Sequence, residues 1–149
     1  MPAKFIIFLS IGIFITLKSL NAQVADEGPI PAAFTCQGIL IVEKPPSKNT
    51  IPGYENHIKK EFEKNYKGKY ELATKKEIET NSQYLDKKIY RFILHLNWIQ
   101  VLGDPNLKQE LIFYLEDRET NTTYNGVGEN SNKPVTYKLL VKMLNENCK

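Results

Sequence analysis

Hydrophobic and polar positions follow two periods along this chain, and the switches between them mark its elements. Ile39-Leu40-Ile41-Val42 is an unbroken apolar run; its length and branched side chains predict a strand covered on both faces. Pro45-Pro46 ends it, and Pro52-Gly53 marks the next turn. From Tyr54, apolar side chains recur every fourth residue at Ile58, Phe62 and Tyr66, with Glu and Lys between them. That is one face of an amphipathic helix, stopped by Gly68. Tyr70, Leu72 and Thr74 then alternate with Glu71 and Ala73, which predicts a short strand. Residues 75–88 are polar and read as a long loop with a turn at Asn81-Ser82.

The longest regular pattern follows. Over residues 90–102, Phe92, Leu94, Leu96 and Trp98 share one face, and Arg91, Ile93, His95, Asn97 and Ile99 the other. Gly103-Asp104-Pro105-Asn106 is a reverse-turn sequence. Residues 107–118 return with Leu111, Phe113 and Leu115 opposite Ile112, Tyr114 and Glu116, so the two segments predict an antiparallel hairpin. A turn at residues 119–121 leads to a third strand around 122–127. The last element is a helix capped by Ser131 or Asn132, with Pro134 in its first turn and Leu140, Met143, Leu144 and Asn147 down one side. The order is β-α-β-β-β-α. It predicts an α+β fold, a two-layer sandwich in which a mainly antiparallel sheet carries two helices on one face. No internal repeat or low-complexity block interrupts it.

The N-terminal pattern differs in kind. Lys4 precedes residues 5–17, which carry no charge. That run is short of the roughly 20 residues a membrane span needs, and it fits the apolar region of a secretory signal. Cleavage between Ala22 and Gln23 is the expectation; an uncleaved anchor is the alternative. No lipid-anchor cysteine follows the run, and Leu-Asn-Ala before Gln resembles the signals of diderm bacteria. The predicted organisation is a signal peptide over 1–22, a flexible lead-in over 23–35 with two Pro and one Gly, and a single domain over 36–149. The product is expected in the periplasm or secreted, with no stable membrane insertion after cleavage. Losing Lys4 and Lys18 with the leader leaves 18 basic against 17 acidic residues, a charge of +1. Such a balance lacks the basic excess of a nucleic-acid binder.

Export changes how the cysteines read. Cys36 and Cys148 both lie beyond the leader, and an even number in an exported chain implies a disulfide, with two free thiols as the alternative. An oxidised pair offers no thiolate nucleophile. The two histidines, His57 on the charged side of the first helix and His95 on the polar side of the hairpin, have no metal-type spacing. There is no Gly-rich phosphate loop and no nucleophile elbow, so no enzymatic activity, metal or cofactor is expected. Glu116, Asp117 and Glu119 cluster at the end of the hairpin. With Asn121 and Asn125 they offer the alternative of a calcium site or acid–base pair, although the spacing matches no calcium loop. Asn121-Thr122-Thr123 has the form of a glycosylation sequon. The Lys-rich stretch 59–76 is interleaved with Glu and reads as a solvated face. Trp98, Tyr114 and Arg118 on the hairpin are the candidate partner-binding residues.

Two resemblances bear on function. Gly38-Ile39-Leu40, Thr50, the helix positions Ile58, Phe62 and Tyr66, and Tyr66-Lys67-Gly68-Lys69-Tyr70-Glu71-Leu72-Ala73 together resemble the periplasmic curli production assembly/transport component, the adaptor of the curli secretion channel. The resemblance covers residues 38–77. It implies a non-enzymatic accessory, an assembly factor or chaperone in protein transport, that binds an unfolded amyloid subunit and docks as a ring on an outer-membrane channel. It therefore also implies a homo-oligomer. Residues 111–126, with Leu-Glu-Asp-Arg-Glu-Thr and then Tyr-Asn-Gly, are similar to the pattern of small envelope lipoproteins and penicillin-binding-protein activators. That implies a small envelope activator-like binding domain as the alternative, alongside a secreted calcium-binding protein or hydrolase using the acidic turn near Asp117.

Overall fold

A computed structural model describes residues 23–24, 30–44, 54–100, 109–125 and 134–148. The leader 1–22 with its Ala22 cleavage position, the turns at 45–46, 52–53 and 103–106, and the cap at 131–132 lie outside the described residues. The elements are β1 (Gln23–Val24), β2 (Ile39–Lys44), α1 (Tyr54–Asn65), β3 (Lys69–Thr74), α2 (Lys75–Thr80), a 3-10 turn (Ser82–Leu85), β4 (Phe92–Gln100), β5 (Gln109–Asp117), β6 (Thr122–Asn125) and α3 (Pro134–Glu146). The fold is α+β. One sheet runs in the order β1-β6-β5-β4-β2-β3.

The hairpin is as its alternation predicts. β4 and β5 pair antiparallel from Phe92↔Asp117 to Gln100↔Gln109, and β6 returns antiparallel beside β5. On the other side, β2 pairs parallel with β4 and, over its full length, parallel with β3. The β2-α1-β3 crossover explains this: a helix between two strands returns the chain in the same direction. β2 is covered on both faces, as its unbroken apolar run requires, with Leu40, Ile41 and Val42 all buried.

The two sheet faces differ. On one, Leu40, Val42, Phe92, Leu94, Leu96, Phe113, Leu115 and Tyr124 pack with Ile58 and Phe62 of α1 and Tyr137, Leu140, Val141 and Leu144 of α3. The two long helices also meet each other. Asn145 of α3 accepts the Lys67 N–H at 2.9 Å and donates to the Asn65 carbonyl at 2.7 Å, satisfying backbone groups at the end of α1. On the other face, Ile41, Ala73 and Ile93 pack with Tyr84 and Tyr90.

Two expectations are corrected. Residues 75–88 are not a plain loop: α2 and the 3-10 turn occupy most of it. Thr74 accepts the Glu77 N–H while the Glu77 carboxylate accepts the Thr74 N–H, a reciprocal cap that starts a helix in a polar sequence. The domain also begins before Cys36. Phe34 is buried in the core with its ring edge-on to Phe92 at 5.1 Å, and Gln23–Val24 joins the sheet beside Thr122 and Thr123. An apolar ring that completes a core overrides the local Pro and Gly signal.

Candidate functional site

The hairpin outruns the sheet that carries it. β2 registers with β4 only at Ile41↔Ile93 and Val42↔Leu94, and β6 registers with β5 only from Tyr114 to Asp117. Among the described residues, β4 from Leu96 onward and β5 before Tyr114 therefore pair only with each other. A two-stranded ribbon has two outward backbone edges, each a row of N–H and C=O groups that another strand can pair with.

The rung where the ribbon leaves the sheet is His95↔Tyr114, and it carries a polar cluster on the second face. Glu43 from β2 and Glu116 from β5 reach His95 from opposite sides. Its Nδ1 lies 2.5 Å from Glu43 Oε2, and its Nε2 lies 2.7 Å from Glu116 Oε2. The imidazole stacks on the Tyr114 ring at 4.6 Å with planes 14° apart. Burial alone lowers the pKa of His95, but hydrogen bonds to Glu116 and Glu43 and their charges outweigh it, so the ring holds its proton above its ordinary value. The same bond from His95 holds the Glu116 carboxyl below its ordinary value, against partial burial.

A second cluster closes the base of the hairpin. Arg91 donates from Nε to Asp117 Oδ1 at 2.9 Å and from Nη2 to Oδ2 at 2.7 Å, a fork on a carboxylate that is 1% exposed. Arg91 Nη1 also meets Glu119 at 2.7 Å. Burial raises the pKa of Asp117, yet the Arg91 fork and the Glu119 N–H bring it below its usual range.

The acidic turn is therefore divided between cations, Glu116 to His95 and Asp117 with Glu119 to Arg91. Among the described residues no group of three His, Cys, Asp or Glu side chains is placed to hold a metal ion. Both sulfurs are consumed in the Cys36–Cys148 disulfide, whose Cα atoms are 5.0 Å apart, and this removes a thiolate nucleophile. Arg118 is half-buried and holds backbone of its own chain. Its Nη1 donates to the Tyr84 and Tyr90 carbonyls at 2.7 and 2.9 Å, fixing the loop over the second face. Tyr114 is half-buried against His95, while Trp98 sits opposite Leu111 in the ribbon with its side chain outside the described residues. Gln23 lies in β1, at the sheet edge. His57 is exposed on α1.

Sequence reasoning placed His95 on the correct face but missed its partners, which lie 52 and 21 positions away. The one available signal was Glu43, a carboxylate ending an apolar run that is covered on both faces. Such a group needs a buried partner. No family model, curated protein or solved structure matches the chain.

Proposed function

We propose that this chain is an exported, non-enzymatic accessory factor that receives an extended segment of a protein partner along its hairpin, as a curli-type subunit adaptor or chaperone would. The supporting observation is the ribbon beyond the His95↔Tyr114 rung, whose two edges have no strand neighbour among the described residues. Backbone pairing at such an edge gives affinity for an unfolded strand with little demand on sequence, the property an amyloid-subunit adaptor needs. The outer edge of β3, which pairs only with β2 among the described residues, is a second receptor of the same kind. The disulfide fits an oxidising compartment, and the leader read from the sequence fits delivery to the periplasm or beyond. An outer-membrane channel and a ring of identical copies complete the reading. Catalysis or calcium binding at the acidic turn has less to stand on, because each of its carboxylates already meets a cation of its own chain.

Size-exclusion chromatography with light scattering, on the oxidised chain from Gln23 with and without an unfolded curli-type subunit, tests the reading. The expected result is a stable complex that slows fibre formation by the subunit. Trp98→Ala in the ribbon is expected to weaken the complex, and Leu139→Ala on the exposed side of α3 to leave it unchanged. A monomer that forms no complex and leaves fibre formation untouched rejects the reading.

A further inference from the structure

Among the described residues, the ribbon without a strand neighbour begins at the rung held by His95, where two carboxylates bracket the imidazole. Two carboxylate oxygens lie within hydrogen-bond distance of the two ring nitrogens, on opposite sides. An imidazolium donates to both; a neutral imidazole has one N–H and one bare lone pair, so one of the carboxylates would face a lone pair. Three strands meet in this bridge: Glu43 is on β2, His95 on β4 and Glu116 on β5. It lies one rung beyond the last β2–β4 pair, Val42↔Leu94, so it takes over where the parallel ladder stops.

We propose that His95 is a proton-operated latch at the root of the hairpin: its imidazolium ties β2 to β5 across β4, and loss of that charge lets β4 and β5 part beyond this rung, adding their inner edges, now paired with each other, to the outer ones offered to a partner. This rests on the reading of the ribbon as the receptor for an extended segment, and adds its regulation. Among the described residues, the titratable groups facing the latch are Glu43 from β2 and Glu116 and Tyr114 from β5, while Lys87 and Arg118 add positive charge near Glu116. Thr123 of β6, opposite Glu116, does not titrate. Glu71 of β3 is occupied by Tyr90 and Gln83. Loss of the ring proton therefore leaves one of the two carboxylates without its donor and removes the positive charge between them.

Hydrogen exchange on the oxidised chain, corrected for intrinsic rates and read by peptide at pH 5.5 and 8.5, tests the latch without any partner. Protection over residues 96–100 and 109–113 is expected to fall by about tenfold at the higher pH, the equilibrium weight of one charge-assisted hydrogen bond. Amides of α3, which report global unfolding, should follow the overall alkaline decline but stay better protected than the ribbon at both pH values. In His95→Gln the step should vanish; in Glu116→Gln, which keeps the Glu43 bond, it should shift to lower pH. A step that survives in His95→Gln, ribbon amides as well protected as those of α3, or no step in the natural chain overturns the latch. Binding of an unfolded curli-type subunit at the two pH values is read separately. Tighter binding at pH 8.5, lost in His95→Gln, joins the two proposals. The exchange step without binding at either pH keeps the latch and overturns the partner reading.

Discussion

At the scale of single residues, this molecule concentrates its electrostatics on two carboxylates of β5. Asp117 is buried and depends on Arg91. Removing the cation leaves an uncompensated charge, so Arg91→Ala is expected to cost about 3 kcal/mol in denaturant unfolding at neutral pH. Lys at the same site should recover only part, because an ammonium cannot reproduce the fork. His95 predicts a pH dependence of opposite sign. The folded chain holds its proton more tightly than the unfolded one, so the bridge contributes fully below the ordinary imidazole value and fades as pH rises through the raised value. Asp117, held low, contributes fully above the ordinary carboxylate value and fades in acid. Thermal unfolding from pH 3 to 9 should therefore show greatest stability in the mildly acid range, with an alkaline decline that His95→Gln abolishes. Neither cluster was legible as a cluster in the sequence. Strand alternation put His95 and Glu116 on one face of the hairpin, but Glu43 joins them only through a parallel β2–β4 register that no local pattern encodes.

At the scale of elements, what the sequence revealed depended on whether the signal was periodic. The hairpin and α1 were legible because apolar residues repeat over many positions, whereas α2 has no buried residue at all and leaves no apolar stripe to read. Its signal is chemical, Thr74 followed three residues later by Glu77, and the cap draws the Glu77 carboxyl below its ordinary value through the Thr74 N–H and hydroxyl. Thr74→Ala is expected to cost about 1 kcal/mol and to raise hydrogen exchange within α2 first. The entry into β2 is tighter. A Cβ on Gly38 would stand 2.8 Å from the Ile89 carbonyl oxygen, which itself accepts the Ile39 N–H at 2.9 Å. Since that acceptor is backbone, it yields only by moving the segment that carries Tyr90 into the second face. Gly38→Ala is accordingly expected to lower stability by about 1–3 kcal/mol, read as a lower urea midpoint with an unchanged slope.

At the scale of the whole molecule, the disulfide joins Cys148, two residues beyond α3, to the approach to β2, and so closes nearly the entire domain. Cys36 and Cys148 are 112 positions apart, and a loop of that length restricts the unfolded chain by about 4–5 kcal/mol in the loop-entropy account. That is a large part of the 5–15 kcal/mol typical of a domain. Two mechanisms could deliver such a stabilisation, and the structure separates them. If the bond held α3 in place, reduction would release the helix from the folded state. But Tyr137, Leu140, Val141 and Leu144 are buried in the main core, and Asn145 bonds the end of α1. The helix therefore has its own means of docking, and the bond acts on the unfolded chain. Reduction, or the double variant Cys36→Ser with Cys148→Ser, is expected to lower the unfolding free energy by several kcal/mol in urea. Exchange of α3 amides relative to the sheet should stay the same under native conditions. Selective loss of α3 protection on reduction would show instead that the covalent link, not the apolar face, keeps the helix on the sheet.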